Sequence, residues 1–313
     1  MSAAAFLFAY FVFPGLLFAG TVSLLLGGID RKITGRMQNR VGPPIWQEFL
    51  DVGKLFAKED ITPSAAQGFV FTAAPFIALG SIVAIFLFLP VNSPKPALSS
   101  VADLIVIIYL LNIPAICAML GGYSSACPFG IVGSSRYIAQ LLGYELVFIL
   151  AVLAAALRAG SLSVGDVVAY QARHGWLVLQ PRLLPAAVAA VIASQGKMLR
   201  VPFDIPEAET EIVHGPLTEY SGPKLALFRI AYNMEIFAVA ALVVALFFGG
   251  PVAHTIDGMY VPGVVSFLVK CFALTLLTTC IRNIAARLKI DQALKFFWAF
   301  AASLALISLV LVL

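Results

Sequence analysis

Apolar residues run in long blocks separated by short polar connections. Eight blocks approach the roughly 20 residues that a helix needs to cross the hydrocarbon layer: 3–26, 66–90, 101–121, 137–157, 183–199, 225–249, 261–281 and 293–313. The fifth is the shortest. Pro14, Pro75 and Pro114 fall inside blocks, which lipid-embedded helices tolerate; Gly121-Gly122 and Gly249-Gly250 read as helix ends. The pattern predicts an all-α, polytopic membrane protein of about eight transmembrane helices, a single integral membrane domain over 1–313. No internal repeat, low-complexity linker or soluble domain interrupts it. The first block lacks a preceding basic region and a cleavage site, so it reads as a membrane helix and not as a removed signal.

One connection carries a pattern of its own. Between Pro44 and Glu59, Trp46, Phe49, Leu50, Gly53 and Ala57 recur at helical spacing, with Glu48, Asp51 and Lys58 off that stripe. This is an amphipathic helix, either lying flat at the membrane interface or anchoring the loop as an ordinary surface helix.

Composition agrees with the block pattern. The chain is 61% hydrophobic and 12% charged, against about 25% charged in soluble domains, and its mean hydropathy is +0.98. Cys117, Cys127, Cys271 and Cys280 form no CxxC pair, and His174, His214 and His254 are far apart, so the chain is expected to hold no metal or iron–sulfur cluster. No nucleic-acid signature and no Ser/His/Asp set appears.

Lysine and arginine bias sets an expected orientation. The first connection holds Arg31, Lys32, Arg36, Arg40, Lys54 and Lys58; the third Arg136; the fifth Lys197, Arg200 and Lys224; the seventh Arg282, Arg287 and Lys289. Odd-numbered connections are therefore expected in the cytoplasm, with both termini outside the cell membrane. Arg158, Arg173 and Arg182 in the fourth connection run against the bias.

Charges inside membrane helices are costly, about 2.5–3.5 kcal/mol at the centre on insertion scales. Asp103, Glu145, Glu235 and Lys270 are the candidates. They mark either a polar ion path or structural features, such as a Glu235–Lys270 pair or end residues that snorkel to water. The densest charge lies between the fifth and sixth blocks. Asp204, Glu207, Glu209 and Glu211 fall within eight residues, bracketed by Arg200 and His214. Mutual repulsion is expected to raise some of their pKa values, and the cluster suggests proton handling or docking of a cationic surface.

These residues carry a resemblance. Pro202-Phe203-Asp204-Ile205-Pro206-Glu207-Ala208-Glu209, followed by Glu219-Tyr220-Ser221-Gly222, resembles the signature of the heel membrane subunit of respiratory complex I and of energy-converting membrane-bound [NiFe] hydrogenases. Arg36 to Pro43 and Lys54 to Glu59 resemble its first loop. Ala102-Asp103-Leu104 resembles the start of its third helix. Gly133, Arg136, Gln140, Tyr144 and Glu145 fit its fourth helix, and Arg282, Arg287, Asp291, Gln292 and Trp298 its seventh connection. Several departures resemble the hydrogenase branch more than the quinone branch. Gly42-Pro43-Pro44 runs straight to Gln47 and Asp51. Pro216-Leu217-Thr218 stands where quinone-type members usually have Tyr-His-Thr, and Trp298-Ala299 where they have Trp-Lys. Lys197 stands for a glutamate, and Tyr232 for the sixth-helix glutamate, with Glu235 about one turn further on.

The resemblance implies an ion-pumping, multi-subunit oxidoreductase in which this chain is a non-catalytic subunit. It anchors a peripheral redox arm and couples electron transfer, from ferredoxin or a formate- or CO-oxidising module, to proton or sodium movement. The implied ion path is Glu145, Glu235, Lys270, Asp103, Asp204, Glu207, Glu209 and Glu211. The implied arm contacts are Arg36, Arg40, Arg136, Arg200, Glu219, Arg282, Arg287 and Asp291. The NiFe centre and iron–sulfur clusters are expected in partners: hydrogenase-like large and small subunits, a ferredoxin-type iron–sulfur subunit and antiporter-like membrane subunits. The alternatives are a quinone-binding complex I subunit and a stand-alone secondary transporter, which would need an inverted repeat.

Overall fold

The structure, a computed structural model, describes residues 3–252, 254–256 and 259–313, without the side chains at 209–210, 254–256 and 259–260. Its helices are α1 (Ala3–Phe11), α2 (Gly20–Met37), α3 (Gln47–Phe56), α4 (Gly68–Phe88), α5 (Asp103–Ser124), α6 (Pro128–Ala159), α7 (Val164–His174), α8 (Leu184–Lys197), α9 (Glu209–Ile212), α10 (Gly222–Phe247), α11 (Gly263–Ile284), α12 (Ile290–Lys295) and α13 (Ala302–Val312). A π-turn over Gly15–Ala19 follows Pro14 and joins α1 to α2, and another over Phe296–Ala301 joins α12 to α13. The hairpin of β1 (His254–Ile256) and β2 (Met259–Val261) pairs Thr255 with Tyr260.

Among the described residues, seven helices are long and apolar enough to cross a membrane. The fifth expected span falls short: α8 has 14 residues, about 21 Å against a hydrocarbon layer of about 30 Å. It still joins the two ends of the bundle. Arg182, just before α8, accepts a bond from Ser308 at 2.7 Å, and Pro202, just after it, accepts one from Leu288 at 3.1 Å. Residues 182–202 thus cover the depth that 288–308 cover, with the non-helical turn 198–202 completing the crossing.

One end gathers the connections around 38–67, 125–127, 198–221 and 285–289. Gln67 N–H donates to Ser124 and Lys224 pairs with Asp60 across it. The opposite end gathers 89–102, 160–183 and 248–252, where Gln171 accepts from Gly249 N–H and donates to Ala245. α10 runs through the middle, nearly every residue from Phe237 to Phe247 fully buried.

α3 lies as an amphipathic helix, with its polar face inward. Glu48 and Val52 are buried, whereas Trp46, Leu50 and Phe56 are 62%, 58% and 48% exposed. Its depth is fixed by close approach to α2. A Cβ on Gly28 would fall 1.7 Å from the Ile45 carbonyl oxygen, so only glycine fits there. That is the level at which α2 turns polar, the depth of an interfacial helix.

A pair of glycines seats the 205–218 loop against the bundle. A Cβ on Gly133 would lie 2.7 Å from Gly215 Cα and from Pro216 Cδ, and one on Gly122 2.9 Å from Pro216. Gly133→Val is therefore expected to push the loop off α6, at about 1–3 kcal/mol. Thermal unfolding and proteolysis of the loop in the assembled complex measure this. Gly53→Ala, with nothing within 4 Å, is expected to leave both unchanged.

Candidate functional site

A cavity of about 470 Å³ opens between α2, α3, α10, α11 and the 198–217 connection. Nine of its nineteen lining residues are charged: Asp30, Glu48, Asp204 and Glu207 with Arg31, Arg200, Arg229, Arg282 and Arg287. Low-dielectric walls make each charge need a partner, and the pairing is extensive. Asp30, 6% exposed, accepts from Arg282 at 2.9 Å and from the Thr279 hydroxyl, with Arg200 at 3.4 Å. Arg31 bridges Glu48 and Asp51, both at 2.7 Å, and Arg229 approaches the same two at 3.6 and 3.9 Å. Arg287 holds Asp204 at 2.6 Å.

Two of the loop carboxylates diverge to separate cationic partners. Asp204 takes Arg287 and Glu211 takes Arg136. Glu207 lines the cavity and interacts with Tyr232; the Glu209 side chain lies outside the described residues. The hydrogen bond and charge of Arg136 hold the Glu211 carboxyl below its ordinary value, so repulsion does not raise that member of the set.

A chain of polar side chains continues from Glu207 into the bundle. Tyr232 meets Tyr137 hydroxyl to hydroxyl at 3.2 Å. Glu235, 2% exposed and one turn along α10, feels the charges of Lys197, Glu207 and Glu145. Lys197 Nζ donates to Glu145 at 2.9 Å and to Asn112 Oδ1 at 2.6 Å, and Asn112 donates back to Glu145 at 2.8 Å. The ammonium also sits over the rings of Tyr144 and Phe148, at 5.2 and 5.4 Å, an arrangement that favours a desolvated cation. Gln140 ties α6 to this region, donating to the Gly196 and Phe203 carbonyls at 2.8 and 2.6 Å.

Two candidates lie elsewhere. Lys270 donates to the Gly250 carbonyl at 3.0 Å and stacks 5.1 Å over Trp176, at the opposite end of the bundle; the Glu235–Lys270 pair is not formed. Asp103, at the start of α5, accepts from Ser100 N–H and from the Ser163 hydroxyl at 3.2 Å, joining the connections of that same end. Of the arm-contact candidates, Arg36, Arg40, Arg287 and Asp291 are exposed and Glu219 half-buried at the cavity end. Arg200 is buried in the cavity wall, out of reach of a docking surface.

Asp30, Arg229 and Asn112 carry no site signal in the sequence, and Glu48 reads there only as a polar-face residue. Asp30 follows the first apolar block so closely that it reads as loop, yet α2 continues through it to Met37. Glu48 was findable: opposite a lipid-facing stripe, a carboxylate must point into protein.

The family pattern described as NADH dehydrogenase matches residues 10–313. The chain belongs to that family. It is 37% identical over 312 residues to NADH-quinone oxidoreductase subunit 8 of Thermus thermophilus, covering 96% of this chain and 83% of that protein. It is 34% identical over 290 residues to the H subunit of the NADH-quinone oxidoreductase of Brevibacillus brevis, covering 90% and 85%. A solved structure of the membrane-bound sulfane sulfur reductase, an archaeal respiratory membrane complex, contains a chain that superposes with a TM-score of 0.90 at 30% identity, over 99% of this chain and 100% of that one. This chain is thus a multi-pass membrane subunit of a complex I-like respiratory complex.

Two outcomes follow from the pairing. Lys197→Met leaves Glu145 buried without its cation, at a cost of about 3–5 kcal/mol; combining it with Glu145→Gln is expected to recover most of that loss, measured as thermal stability of the assembled complex. For Asp51, burial pushes the carboxyl up, but hydrogen bonds from Arg31 and Gln47 and the Arg31 and Arg229 charges bring it below its ordinary value. A lowered folded pKa gives stability that is complete above the unfolded value of about 3.9 and lost as pH falls through the folded one. Hydrogen exchange in α3 is expected to stay constant from neutral pH to about 4, after correction for intrinsic rates, and to rise below it; Asp51→Asn should abolish that step.

Proposed function

We propose that this chain is the membrane subunit of an energy-converting, ion-translocating [NiFe]-hydrogenase-type complex. The carrying observation is the cavity, nine of whose nineteen lining residues are charged, continued by Tyr232, Tyr137, Glu235, Lys197 and Glu145 into the bundle. A quinone tail gains by burying apolar surface, about 25 cal/mol per Å², and here nine of the nineteen residues around it would be charged. Water and protons suit these walls better. In this reading the peripheral arm, carrying the NiFe centre and iron–sulfur clusters, docks at the cavity end through Arg40, Arg287 and Asp291. Electrons come from ferredoxin or a formate- or CO-oxidising module. Redox events at that arm disturb the Asp204–Arg287 and Asp30–Arg200–Arg282 pairs, and the disturbance passes along the polar chain as proton or sodium movement. Supporting the branch are the Lys197, Tyr232 and Pro216-Leu217-Thr218 departures and the fit to a complex that reduces sulfur species. The relatives' names favour a second reading, a quinone-binding subunit of an NADH-quinone oxidoreductase.

The purified complex decides between them. Nickel in the preparation with ferredoxin-driven hydrogen evolution is expected; quinone reduction blocked by rotenone-type inhibitors would overturn the first reading in favour of the second. In inverted vesicles, Glu145→Gln and Glu235→Gln are expected to cut ion uptake by at least about tenfold, since a positioned proton-transfer group is worth about 10²–10⁴, while the electron-transfer rate without a gradient is retained. Uptake at the wild-type rate would leave these residues no part in translocation.

A further inference from the structure

Outside the cavity, a second hollow of about 290 Å³ runs along the outer face between α2 and α11, lined only by apolar side chains, among them Val22, Leu25, Ile29, Leu268, Val269 and Phe272. Leu25 and Val269 are 42% and 60% exposed, so the groove opens sideways toward the bilayer. From Val22 to Ile29 is about 10 Å of helix axis. That length and the wholly apolar lining suit a hydrocarbon chain.

The same face of α2 changes character past the groove. Three, four and seven residues beyond Ile29 stand Lys32, Ile33 and Arg36, the spacing of one helical stripe. Arg36 is about 10 Å further along the axis, a headgroup's distance from a chain bound at Ile29. Neither Lys32 nor Arg36 forms an ion pair among the described residues, whereas Arg31 and Arg282 beside them are paired.

We infer that the α2–α11 groove is a binding site for an anionic phospholipid, one acyl chain lying between Val22–Ile29 and Leu268–Phe272 and the phosphate resting on Lys32 and Arg36. Apolar lining, length and uncompensated charge agree, and basic residues beside membrane helices commonly hold such headgroups. The site stands whichever redox partner the complex carries. It also ties the lipid to the cavity, because Asp30 and Arg31 sit on the same turn of α2 as the groove's inner end.

The test is native mass spectrometry of the delipidated whole complex, resupplied with phosphatidylglycerol or phosphatidylcholine at equal concentration. The wild-type complex is expected to retain phosphatidylglycerol in preference. Lys32→Gln and Arg36→Gln should each weaken that retention about fivefold, and Leu25→Trp, which fills the groove from its open side, should remove one bound lipid while the complex stays assembled. Equal retention of the two lipids, or retention indifferent to all three substitutions, overturns the proposal. So does an electron-microscopy map of the complex with a partner protein in the groove.

Discussion

Lys197 has 1% of its surface exposed, on a helix too short to cross a bilayer alone, and much of the polar interior is arranged around compensating it. An ammonium taken out of water loses several kcal/mol of solvation even after relaxation. Here it recovers that from Glu145, Asn112 and two aromatic faces. Those partners come from α5 and α6, so compensating one charge fixes how the end of α8 sits against α6. The aqueous end applies the same rule to Arg200, whose burial requires Asp30 from α2 and the Thr278 and Thr279 hydroxyls from α11.

The two networks meet in the 198–221 connection, which leaves α8 immediately after Lys197. Its first residues line the cavity wall and carry Arg200 and Asp204; its later residues rest on glycines of α5 and α6. A movement of Asp204 or Glu207 is therefore communicated both to the Tyr232–Tyr137 contact and to the backbone that ends α8. Pairing that is extensive and close to balanced, with Asp51 joining four acids against five arginines, suits such a relay. Adding or removing one charge at the cavity leaves a neighbour uncompensated, and in a low-dielectric setting this is a large perturbation over several ångströms.

The hydrophobic pattern made the spans legible because a helix in lipid must be apolar over most of its length. It overreached at 183–199, where part of the crossing is made by a non-helical turn that protein, and not lipid, surrounds. Glu145, Glu235, Asp204 and Glu207 were legible as unusual charges in unusual places. Their partners were not, because Lys197–Glu145 and Arg200–Asp30 join residues 52 and 170 positions apart, and separation in sequence carries no sign of proximity. Lys270 shows the converse: at mid-span by composition, it in fact reaches the far end to meet Gly250 and Trp176, as a long side chain near a helix terminus can.

The identity of residue 197 bears on how the buried chain can work. A carboxylate at that position would place a third negative charge beside Glu145 and Glu235, and repulsion would then favour at least one of the three carrying a proton. A lysine reverses the balance. With Lys197 in that place, Glu145 has a cation at 2.9 Å, and Glu235, 2% exposed and one turn from Tyr232, has no ion pair of its own among the described residues. A change in the charge facing it from the cavity therefore meets less compensation at Glu235 than at Glu145.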